Sequence, residues 1–62
     1  MDLELAKDMT YSLMKSASEK EPEKNDFIFS IQYGGETYNA IWMKDINVDH
    51  AEWHITIEKH ID

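Results

Sequence analysis

The stretch from Asp49 to His60 holds His50, His54 and His60 beside Asp49, Glu52 and Glu58, the one cluster in the chain with metal-ligand chemistry. Zinc takes imidazole nitrogens and carboxylate oxygens in a tight tetrahedron. On an extended strand His54 and His60 share a face but lie about 20 Å apart, too far for one ion. His50 and His54 could meet through a loop, with Asp49 or Glu52 as third ligand, yet their spacing matches no established zinc motif. Histidines on a polar strand face are the simpler account, and neither a metal nor any other cofactor is expected.

Nucleophilic catalysis has less to work with. There is no cysteine, the serines fall in the predicted helix or mid-strand, and no Gly-x-Ser-x-Gly elbow occurs. Glu52 and Glu58 would sit on a flat open face, with no desolvation to raise a carboxyl pKa for acid catalysis. The two glycines are adjacent and serve a turn rather than a phosphate cradle. The expectation is therefore a protein that is not an enzyme.

A chain of 62 residues is expected to form one domain, 1–62, that buries only about 60% of its unfolded surface. With no cysteine to staple it, such a chain gains from association. Thirteen acids against six lysines, and no arginine, give a formal net charge of −7. Phosphate backbones are gripped by clustered Lys and Arg, so direct nucleic-acid binding is not expected; a basic protein patch suits this surface better. No apolar run reaches membrane-spanning length, and the acidic start "MDLELAKDM" lacks a signal peptide's basic character. Together with the absence of cysteine, this leads us to expect a soluble, cytoplasmic protein with no membrane partner.

The elements follow from periodicity. Residues 2–20 place Leu3, Ala6, Met9, Thr10, Leu13, Met14 and Ala17 on one side of a helical wheel, with Glu4, Asp8, Lys15 and Glu19 opposite. Asp2 is the expected N-cap, and Pro22 ends the helix before a charged linker, 21–25. Gly34-Gly35 reads as a two-residue primed turn between strands 26–33 and 36–45. Counting outward from it pairs Phe27 with Trp42, Phe29 with Ala40 and Ile31 with Tyr38 on one face. Ile28 with Ile41 and Asp26 with Met43 fall on the other. Residues 52–61 alternate as a third strand, with Ile55 beside Trp42 and a loop over Ile46–Ala51. The predicted fold is α+β, one N-terminal helix on a three-stranded antiparallel sheet of order 1-2-3. Its expected core is Leu3, Met9, Leu13, Phe27, Phe29, Ile31, Tyr38, Trp42, Trp53, Ile55 and Ile57.

This register leaves apolar side chains on the face away from the helix. Ile28, Ile41 and Met43, with His54 alongside and Val48 in the adjoining loop, form an apolar group; Glu52 and Glu58 supply a charged rim. Apolar residues rimmed by polar ones mark interaction sites, although isoleucine on a strand can also express β propensity alone. The expectation is a small acidic protein-binding module, an inhibitor or adaptor that occupies another protein's surface. Phage-type proteins that block host defence nucleases, the anti-CRISPR and anti-restriction factors, are one setting for that design. Two alternatives stand beside it. One is a DNA mimic competing through distributed carboxylates, although seven acids against four lysines in residues 1–26 and six against two in 27–62 form no unbroken row. The other is an oligomeric structural subunit, since unprotected strand edges invite a homodimer.

Overall fold

Every residue of β1 (Asp26–Tyr33) opposes a residue of β2 (Glu36–Ile46), in the register that the glycine pair dictates. The computed structural model describes residues 1–46 and 51–60. Gly34 and Gly35 both take positive φ, 60° and 77°, which two-residue primed hairpins require and which side chains with a Cβ resist. From there the ladder runs Tyr33↔Glu36, Ile31↔Tyr38, Phe29↔Ala40, Phe27↔Trp42. β3 (Ala51–Lys59) pairs antiparallel with the other side of β2, Ile55 opposite Trp42, to complete a sheet of order β1-β2-β3. The chain is thus an α+β fold with a single N-terminal helix.

That helix, α1 (Leu3–Lys20), starts at Asp2, whose carboxylate accepts the Leu5 N–H at 2.8 Å. Glu4 adds a favourable negative charge to the first turn. The helix stops where Pro22 forces Glu21 out of helical geometry, to φ −130° and ψ 70°.

The helix meets the sheet on a different stripe from the one expected. Ala6, Thr10 and Met14 are buried, whereas Leu3, Met9 and Leu13 are exposed, Leu13 to 54%. The reason lies in the sheet. Trp42, with 1% exposure, and Phe27 already fill the volume under the helix, so the facing helical positions must be small or slender. The core therefore consists of two linked groups. Ala6, Ile31 and Ala40 pack with Met1, Ile55 and Ile57 at one end; Met14, Phe27 and Trp42 pack with Ala17, Phe29, Trp53 and Ile55 at the other. Tyr38, also expected inside, is half-buried at the sheet's end, as are Phe29, Trp53, Ile55 and Ile57 along its margins.

Two strand boundaries differ from expectation. Ile46 pairs with Ala51, so the ladder takes in two residues that the sequence reading placed in the loop. β3 ends at Lys59 rather than 61, and position 61 lies outside the described residues.

Candidate interaction surface

Strand parity decides what each face presents. On β2 the even residues Ala40 and Trp42 point to the helix, which sends Ile41, Met43 and Asp45 to the opposite side. Ile41 lies between Ile28 on β1 and Thr56 on β3; Met43 lies between Asp26 and His54; Asp45 faces Glu52. Ile28 is 64% exposed and Met43 57%, while Ile41, flanked on both sides, is half-buried. The helix covers none of them. The sequence reading thus placed Ile28, Ile41, Met43 and His54 on one face correctly. Glu52 and Glu58 share that face, four and two residues either side of the Ile41–Thr56 pair along β3. Val48, expected to extend the patch, lies outside the described residues.

Asp26 and Asp45 belong to the rim as well, although composition alone did not single them out. Asp45 stands directly across the ladder from Glu52, and like charges in that relation repel. The His54 imidazole Nε2 lies 3.9 Å from both carboxylates, beyond hydrogen-bond reach but close enough for attraction once it is protonated. A cation delivered from outside would relieve the same repulsion. Among the described residues no three His, Cys, Asp or Glu side chains converge as metal ligands. His50, which the sequence placed near His54, lies outside them.

The other titratable cluster sits on the helix side, near the glycine turn. Lys59 Nζ meets Glu36 Oε1 at 2.8 Å, and the Tyr38 hydroxyl donates to Glu36 Oε2 at 2.9 Å. The lysine hydrogen bond, then the tyrosine one, holds the Glu36 carboxyl below the usual range. The same contacts push the Lys59 ammonium and the Tyr38 phenol upward. All three groups are open to water, which screens these contacts and keeps their contribution to stability small.

Concavity is slight. An open groove of about 260 Å³ runs between the Glu4–Lys7 side of α1 and β3, floored by Trp42 and walled by Trp53 and Ile55. Substrate pockets ordinarily span roughly 300–1,000 Å³ and enclose most of the ligand. Trp53 carries the Lys44 ammonium 5.8 Å from its ring centre and stacks obliquely on Phe27 at 5.7 Å, so it helps to hold the sheet's far end.

Of the four sheet aromatics that would make a base-stacking platform, Phe27 and Trp42 are buried beneath the helix, and Phe29 and Tyr38 are half-buried on the same face. The helix's acidic face, with Asp8 and Glu19, lies opposite the buried Ala6–Thr10–Met14 stripe and so away from the sheet, and Glu4 borders the groove beside β3. Asp26, Asp45, Glu52 and Glu58 lie on the sheet's other face. The carboxylates are therefore divided between two sides of the molecule. No described helix is long and apolar enough to cross a membrane. The chain matches no protein-family model, no curated protein and no solved structure.

Proposed function

We propose that the chain is a non-enzymatic protein-binding module that docks through the sheet face opposite α1, and acts as an inhibitor or adaptor by occupying its partner's surface. The reading is carried by one observation: Ile28 and Met43 stand well exposed beside Ile41 on a face that no other element covers among the described residues, with Asp26, Asp45, Glu52 and Glu58 around them. Burying apolar side chains supplies affinity, roughly 25 cal/mol for each Å² removed from water, and acids at the rim select the partner. The matching partner carries an apolar protrusion or shallow cleft bordered by Lys or Arg. A defence nuclease, in the anti-CRISPR or anti-restriction setting, is the partner class to test first, and the cytoplasm is where such an encounter would occur.

The division of carboxylates between two sides supports this reading over DNA mimicry, which needs them in one phosphate-like row. Capture of the partner from host extract, repeated with Ile28→Asp and Ile41→Asp, tests the proposal. Loss of one and the same captured protein in both variants, with the fold intact by circular dichroism, supports it. Undiminished capture refutes it. Mimicry would instead leave capture by both variants intact and collapse it with modest added salt.

A further inference from the structure

We propose that the outer edge of β1 pairs with the same edge of a second copy of this chain, antiparallel and about a two-fold axis, to make one six-stranded sheet. The backbone ladder supplies the first argument, independent of the proposed function. The Lys44 N–H donates to the Asn25 carbonyl at 2.7 Å, in the same register as Phe27↔Trp42 and Tyr33↔Glu36. Bonded pairs alternate along an antiparallel ladder, so the odd residues of β1 bond inward to β2. The N–H and C=O groups of Ile28, Ser30 and Gln32 then point away from it. Likewise, the His60 N–H donates to the Thr37 carbonyl at 2.9 Å, which turns the backbone of Trp53, Ile55 and Ile57 outward on β3. Among the described residues no further strand covers either edge.

The two edges are guarded differently. β3 carries Glu52, His54, Glu58 and Lys59, and the helix flank above it presents Glu4 and Lys7. Charges of this kind are how proteins keep a free edge from pairing. β1 has none between Phe27 and Tyr33, nor a proline. On the helical wheel Met9 and Leu13 lie across the buried Ala6–Thr10–Met14 stripe from Glu4 and Lys7, so they overhang the β1 side. Both are exposed, as is Ile28 on the opposite face. The open ladder is thus flanked by apolar groups on both faces. Antiparallel pairing about a two-fold sets each copy's Met9 and Leu13 toward the other's and brings the two Ile28 side chains onto one continuous face. A second copy is the occupant that fits: from Phe27 to Tyr33 the edge is uncharged and self-complementary, and antiparallel pairing keeps the two copies' Asp26, the one acid of β1, at opposite ends of the seam.

Sedimentation velocity over rising protein concentration tests the pairing, with amide exchange read residue by residue. The expected mass climbs toward twice that of the chain, and the Ile28, Ser30 and Gln32 amides exchange more slowly as it does. Added salt promotes the dimer by screening two like-charged copies, whereas salt weakens docking to a basic partner, so failures of the two proposals can be told apart. Ser30→Pro removes an outward donor without touching the β1–β2 ladder, and Ser30→Lys puts a charge on the edge; each keeps the chain monomeric. Should the proline variant misfold, the lysine variant decides. A monomer at the highest concentration and salt, or a dimer that survives Ser30→Lys, overturns the proposal.

Discussion

The indole N–H of Trp42 donates to the hydroxyl of Thr10 at 2.8 Å, deep in the interface between helix and sheet. That hydroxyl in turn donates to the Ala6 carbonyl one turn back, at 2.7 Å. One small polar side chain thus satisfies the largest buried residue and fixes which side of α1 faces down. A buried donor left without its acceptor costs about 1–3 kcal/mol. Thr10→Val, which keeps the shape and removes the acceptor, should therefore lower stability by about that much, or roughly 4–8 °C in Tm for each kcal/mol. Thr10→Ser should retain most of it. Thermal unfolding followed by circular dichroism makes the comparison.

Met14 and Leu13 are neighbours in sequence with opposite surroundings. Met14 is 1% exposed and packs on Phe27 and Trp42, whereas Leu13 stands in water. Met14→Ala should cost about 2–5 kcal/mol, through lost burial and the cavity left behind. Leu13→Ala should change the stability of the monomer by no more than about 0.5 kcal/mol. Urea titrations of the two variants, at a concentration low enough to keep the chain monomeric, settle the assignment; equal losses would contradict it.

Gly34 and Gly35 adopt left-handed backbone angles with open space where a Cβ would stand. Substitution there meets no neighbour, so the cost comes from the backbone alone, about 1–2 kcal/mol for alanine at either position. Asparagine, which tolerates this conformation, should cost less. Denaturation of Gly34→Ala against Gly34→Asn measures the difference.

The Glu36 carboxyl titrates below the usual range because Lys59, then Tyr38, hydrogen-bond its charged form. A depressed carboxyl pKa means that the stabilisation is present above the unfolded-state value and disappears as pH falls through the folded one. Removing the lysine should bring the midpoint back up. A carbon-detected NMR titration of Glu36, in the native chain and in Lys59→Met, reads this directly; an unchanged midpoint would show that the contact does not form in solution.

For the docking face, Ile28→Asp should weaken partner binding at least tenfold, about 1.4 kcal/mol, with little change in monomer stability because Ile28 is mostly exposed already. Glu58→Lys should weaken it less, and mainly through the association rate. Surface-plasmon kinetics separate these contributions. Equal dissociation constants for Ile28→Asp and the native chain would remove the apolar contact from the proposal.

Much of this architecture was legible in the sequence because one turn determines a whole ladder. Once Gly34-Gly35 is read as a two-residue turn, every pair from Tyr33↔Glu36 to Asp26↔Met43 follows by counting, and so does the outward placement of Ile28 and Ile41. The rotation of the helix did not follow. Its apolar arc is broad, and choosing the bulkiest members, Leu3, Met9 and Leu13, neglected the volume that Trp42 and Phe27 claim beneath it. Thr10 was visible on that arc, but its importance appears only when the indole's need for an acceptor is set against the lack, among the described residues, of any other buried polar side chain. Asp45 was legible by the same count, since Ile55 opposite Trp42 sets it across from Glu52, but its place beyond the apolar group gave no separate signal that it belongs to the rim.

The sheet is a simple meander in which each strand pairs with its immediate successor. Nearly all its contacts can therefore form by zipping outward from short connections, with little chain entropy lost at each step. Docking the helix is the long closure, since it joins Thr10 to Trp42, 32 residues apart, and brings Ala6 into the cluster that Ile55 and Ile57 of β3 pack against. The order of assembly this implies is hairpin first, third strand next, helix last. Until the helix lands, the aromatic side of the ribbon stands bare, which makes a newly synthesised chain most vulnerable to sticking in that brief interval.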